Sequence, residues 1–101
     1  MFIITQDYIQ KGAEVGTCGP RRISDDDVVL LRQIALGFRP TDVEVVPFQL
    51  FDDDGEHYYD GIWVNSDGSD EFQPLDCFGG PNAGCTMIKT RNLETGKYEI
   101  V

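Results

Sequence analysis

Two runs of alternating apolar and polar residues, 43–51 and 56–64, flank the tetrapeptide Asp52-Asp53-Asp54-Gly55. Strand side chains repeat with a period of two, and a short polar turn ending in glycine lets the chain reverse. The segment therefore reads as a β-hairpin. On the returning arm, simple alternation puts Tyr58, Asp60, Ile62 and Val64 on one face and His57, Tyr59, Gly61 and Trp63 on the other. Pro47 cannot donate to a ladder, so it is expected at an edge or a bulge.

Upstream, Ser24 is a good N-cap, with Asp27 at the third helical position and Asp25, Asp26 and Asp27 facing the positive end of a helix dipole. Val28, Leu31 and Ala35 follow helical spacing, as do Leu30 and Ile34, and Gly37 is the expected stop. Strands are expected at 2–5 and 14–18, the latter running into Gly19-Pro20, and a second hairpin at 85–91 and 97–101 around 92–96. The order β-β-α-β-β-β-β predicts an α+β fold in one domain, 1–101: an antiparallel sheet with one α-helix packed on one face. Residues 65–84 read mostly as a loop, of a length that is often functional or conceals a helical turn.

The hairpin lies inside an unusual charge block. Pro40 to Ile88 holds no lysine or arginine and eleven carboxylates, Asp42, Glu44, Asp52, Asp53, Asp54, Glu56, Asp60, Asp67, Asp70, Glu71 and Asp76. The flanks are nearly neutral, so almost all of the net charge of −10 sits in this block. Aromatic residues throughout the block argue that it is folded. A folded field of one sign attracts cationic partners and repels nucleic acid and anionic membrane. Arg21-Arg22 is too small a basic patch to reverse that. The first residues lack a basic leader and a long apolar run, and no run reaches the ~18 residues of a membrane span. Three cysteines, Cys18, Cys77 and Cys85, suit reduced thiols in the cytoplasm better than a disulfide framework.

Motifs that carry chemistry do not stand up to their own requirements. Calcium loops begun at Asp52 or Asn65 would need glycine at the sixth position, where His57 and Asp70 stand. Zinc would need local pairs such as Cys-x-x-Cys, which are absent. A thiolate at Cys77 or Cys85 with His57 as base would form against the negative field of the chain. Gly16-x-x-Gly19 and Gly79-Gly80-Pro81 lack the lysine and spacing of phosphate loops. No catalytic residue, metal ligand or cofactor is therefore expected.

Asp-Asp-Asp-Gly-Glu-His-Tyr-Tyr-Asp-Gly (52–61) and Pro-Leu-Asp-Cys-Phe-Gly-Gly-Pro-Asn-Ala-Gly-Cys-Thr (74–86) resemble a group of small bacterial proteins with no established activity. The resemblance covers the C-terminal half and implies no function.

The expected role is a non-enzymatic acidic interaction module that docks on a basic surface of a protein or nucleoprotein complex. Its pointed form is an inhibitor from a phage or mobile element, anti-CRISPR-like, with carboxylates standing in for phosphates. The residues expected to bind are Asp52, Asp53, Asp54, Glu56, Tyr58, Asp60, Asp67, Asp70 and Glu71, with Trp63, Tyr58 and Tyr59 as anchors if exposed. Replacing Asp52, Asp53 and Asp54 together is expected to weaken binding and spare the fold. Two other readings are a small-molecule or metal-binding domain using the 65–84 loop, and a homodimer joined through an edge strand.

Overall fold

The hairpin read from the sequence supplies the two central strands of the sheet. The computed structural model describes residues 1–20, 23–65 and 71–101, so Arg21, Arg22, Asp67 and Asp70 lie outside the described residues. Strands β1 (Phe2–Asp7), β2 (Cys18–Gly19), β3 (Glu44–Phe51), β4 (His57–Asn65), β5 (Met87–Arg91) and β6 (Tyr98–Ile100) form one six-stranded sheet in the order β2-β1-β4-β3-β5-β6. Every pairing is antiparallel. β5 pairs with β3 only from Phe48 to Phe51. Pro47 thus stands where β3 is still an edge on that side, and its missing N–H breaks no β3–β5 bond.

Helix α1 (Asp25–Ala35) starts as its sequence dictates. The Ser24 hydroxyl accepts from the Asp27 N–H at 3.1 Å, and three aspartates occupy the first turn. Gly37 follows at φ +113°, a conformation that favours glycine, and Arg39 Nη1 donates to the Ile34 carbonyl at 2.7 Å. Leu31 and Ile34 point onto one face of the sheet, against Met1, Ile3, Ile62 and Val64.

The expectation of a single helix on a single face is corrected here. A π-helical turn (Leu75–Gly79) runs into a short helix, α2 (Gly80–Ala83), and this segment packs on the opposite face. Its glycines and prolines read locally as loop. Phe78 overrides them by entering the second core, with Phe2, Phe48, Leu50, Tyr59 and Ile88. The rings meet edge to face, Phe78 with Tyr59 at 4.9 Å and with Phe2 at 6.4 Å between centroids. Pro81 stands at the start of α2, directly after the π-helical turn.

Two large rings fit against the sheet only because glycines face them. A Cβ on Gly61 would lie 2.3 Å from the Phe48 ring and 2.6 Å from the Ile3 carbonyl oxygen. A Cβ on Gly19 would lie 2.2 Å from the Phe2 ring. Gly61→Ala is therefore expected to cost about 1–3 kcal/mol through overpacking, read as a lowered midpoint in denaturant unfolding.

Asp7 closes β1. It is 5% exposed, and its carboxylate accepts from the N–H groups of Ile9, Gln10 and Glu14 at 2.9–3.1 Å, pinning the connection to β2. Burial alone would push this carboxyl up, but the three backbone donors outweigh it and hold it below its ordinary value. A depressed folded pKa contributes stability above the unfolded value of ~3.9, lost as pH falls through the folded value. Asp7→Asn should be less stable at pH 7 by about 1–3 kcal/mol. That gap should narrow in thermal melts below about pH 4; a gap constant with pH would contradict the assignment.

Candidate functional site

At the end of β4 nearest the turn, the ladder gains a residue. Leu50 pairs with Tyr59 but Phe51 pairs with His57, leaving Tyr58 as a β-bulge. A matching irregularity at Thr5 lies between β1 and β4. The bulge corrects the alternation read from the sequence, because it turns His57 onto the face of Asp60. His57 Nε2 lies 2.5 Å from Asp60 Oδ1, and Tyr8 donates its hydroxyl to Asp60 Oδ2 at 2.6 Å. A carboxylate only accepts, so the bond places the proton on His57 Nε2.

Two aromatic rings contact this imidazole. The Phe51 ring stacks on it at 4.8 Å and the Tyr8 ring meets it at 4.7 Å. Lys89 Nζ sits 4.7 Å above the Phe51 ring. The hydrogen bond to Asp60, followed by burial, pushes the Tyr8 phenol up. This half of the sheet face extends beyond the α1 core, which packs on Ile3, Ile62 and Val64. It presents Tyr8, 55% exposed, together with partly exposed His57 and Asp60.

The turn beside it is held from within. The Asp52 carboxylate accepts from the N–H groups of Asp54 and Glu56 at 2.9 and 2.8 Å and from the Tyr58 hydroxyl at 3.0 Å. These donors, the Glu56 N–H first, hold its carboxyl below the ordinary value. Gly55 closes the turn at φ +79°. Asp53, Asp54 and Glu56 are exposed, and none has a lysine or arginine partner among the described residues.

The residues expected to bind therefore separate. Asp53, Asp54 and Glu56 crown the turn, and Asp52 is occupied in holding it. Asp60 lies on the adjoining face, tied to His57 and Tyr8. Tyr58 is half-buried against the other core. Glu71 is exposed and distant in sequence from the turn, and Asp67 and Asp70 lie outside the described residues. Of the expected anchors, Trp63 and Tyr59 are buried. The carboxylates do not share one face. Glu44 pairs with Asn65 at the opposite end of β3, about 26 Å from the turn for eight strand residues.

Tyr8, Phe51 and Lys89 escaped the sequence reading. Tyr8 follows the segment read as a strand, and only the bulge brings it to His57. Two surface cavities lie elsewhere, neither lined by a carboxylate of the 40–88 block. One, of about 400 Å³, is mostly apolar and lies between β1 and the end of α1, lined by Ile3, Val15, Arg32 and Leu36 among others. The other, of about 240 Å³, is bounded by Phe2, Glu14, Gly19, Cys77 and Asn82. Among the described residues no group of three or more His, Cys, Asp or Glu side chains converges to hold a metal ion. The three cysteines are free; burial and then the Asp52 charge push the Cys85 thiol up to about 11, so it stays protonated at neutral pH.

Asp60→Asn leaves either the His57 N–H or the Tyr8 O–H without its acceptor, at an expected cost of about 1–3 kcal/mol. In a spectrophotometric titration the Tyr8 phenol should fall back towards its ordinary value of 10.0. An unchanged titration would break the link between the two residues. Comparison with protein-family models, with curated proteins and with solved structures finds no match.

Proposed function

We propose that this chain is a non-enzymatic interaction module that docks on a basic surface of another protein or nucleoprotein complex. It competes there with nucleic acid, as an inhibitor of the anti-CRISPR kind would. The observation that carries the reading is the turn of the β3–β4 hairpin. Asp53, Asp54 and Glu56 stand exposed and unpaired with lysine or arginine among the described residues, on a backbone that Asp52 has already ordered. Charges whose scaffold is set before the encounter lose little entropy on binding. Long-range attraction from a chain of net charge −10 speeds the encounter with a basic surface.

The neighbouring face supplies what charge alone lacks. Tyr8 and His57 offer aromatic area with polar tips, beside the exposed carboxylates of the turn that leads into His57. The proposed site of action is the cytoplasm, where thiols such as the three free cysteines stay reduced.

The test is a pull-down from bacterial lysate at low and high salt, comparing the wild type with Asp53→Asn/Asp54→Asn/Glu56→Gln. Asp52 is left in place so that the turn keeps its shape. The reading expects a nucleic-acid-handling protein that is retained at low salt and released at high salt. The triple variant should hold it about tenfold more weakly, chiefly through slower association. The wild type should also displace nucleic acid from that protein. Equal retention by the folded variant, or capture without displacement, would overturn the proposal.

A further inference from the structure

The two edges of the sheet are unlike. β2 is two residues long and runs directly into Pro20, which blunts it. β6 carries no proline and no bulge. Its pairing with β5 shows which of its backbone groups are used. The Asn92 N–H donates to the Lys97 carbonyl at 2.8 Å and the Val101 N–H to the Ile88 carbonyl at 3.1 Å. Lys97, Glu99 and Val101 therefore direct their backbone groups at β5. By alternation, Tyr98 and Ile100 turn their N–H and C=O groups to the open side, where no described strand lies. Their side chains are 38% and 65% exposed and share a face with Arg91 and Lys89, their partners on β5.

We propose that β6 pairs with the β6 of a second copy of this chain, antiparallel about a two-fold axis, with Tyr98 opposite the partner's Tyr98. Charge selects this register. Tyr98 then exchanges both backbone bonds with the partner's Tyr98. Lys97 falls opposite the partner's Glu99, and Glu99 opposite the partner's Lys97. These are non-hydrogen-bonded positions, where side chains come closest. A register with Tyr98 opposite the partner's Ile100 would instead set Glu99 against Glu99 of the partner subunit, a like-charge pair.

The wider field favours the same edge. Residues 89–101 hold three bases and two acids, a net +1, whereas the 40–88 block carries −11. Two copies that approach through the 40–88 block meet like charge; two copies that approach through β6 do not. A closed two-fold contact of this kind also uses up the exposed edge that would otherwise recruit further strands. It leaves the carboxylate-bearing hairpin turn of each copy outside the paired strands and stands independently of the docking role proposed above.

Sedimentation equilibrium over a range of concentrations tests it, on the wild type and on Lys97→Glu, Glu99→Lys and the double exchange Lys97→Glu/Glu99→Lys. The wild type should show a concentration-dependent dimer. Each single reversal sets two like-charge pairs across the axis and should weaken the dimer about tenfold or more; the double exchange restores opposite charges and should recover it. Tyr98→Pro removes the outward N–H together with the Tyr98 side chain, while the bonds to β5 from Lys97, Glu99 and Val101 remain, so it should be monomeric with its circular dichroism unchanged. A wild type that is monomeric throughout, a dimer indifferent to the reversals, or a double exchange as weak as the single variants would overturn the proposal.

Discussion

The bulge at Tyr58 sets what the exposed half of the sheet presents. One extra residue between Leu50–Tyr59 and Phe51–His57 rotates His57 from the Tyr59 face to the Asp60 face. From that position the imidazole reaches Asp60, stacks on Phe51 and meets Tyr8. The same offset brings the Tyr58 hydroxyl to Asp52, which in turn collects the N–H groups of the hairpin turn. The aromatic face and the ordered turn are thus two consequences of one change in ladder register.

This arrangement also resolves a conflict within the sequence. The most acidic part of the chain must furnish the two most central strands of the sheet. It does so by keeping charge off the inward positions of β3 and β4, where Val46, Phe48, Leu50, Tyr59, Ile62, Trp63 and Val64 are buried. Most described carboxylates of the block are left to the ends of those strands or to the connections. The exception within β4, Asp60, has both oxygens engaged by His57 and Tyr8. Asp7 and Asp52 follow the same rule, each accepting backbone donors that stabilise its ionised form. These three acids hold the structure, while Asp53, Asp54 and Glu56 stay exposed, with no lysine or arginine partner among the described residues.

Much of this architecture is legible in the sequence because local signals and tertiary packing agree. Ser24 and Gly37 bound α1 because capping is a local hydrogen-bonding matter, and the turn at 52–55 is visible because Gly55 has to take a positive φ. The length of the loop read at 65–84 leaves room for a concealed helical turn, but Gly79, Gly80 and Pro81 give no sign of where it lies; Phe78, anchored against Tyr59 and Phe2, places it at 75–83. The face of His57 is hidden for another reason. A bulge arises from the fit between strands, and alternation along one strand carries no mark of it. The acidic turn was therefore readable from residues 52–56, whereas its aromatic neighbours, brought from β3, β5 and the residue after β1, were not.

The chain has a single histidine, so its ring protons report on the bulge without ambiguity. The most direct measurement is the set of nuclear Overhauser contacts from the His57 ring in solution. The account predicts contacts to the rings of Tyr8 and Phe51. Contacts to Tyr59 and Phe78, on the face that uninterrupted alternation would give His57, would contradict the bulge and with it the assembly of the candidate site.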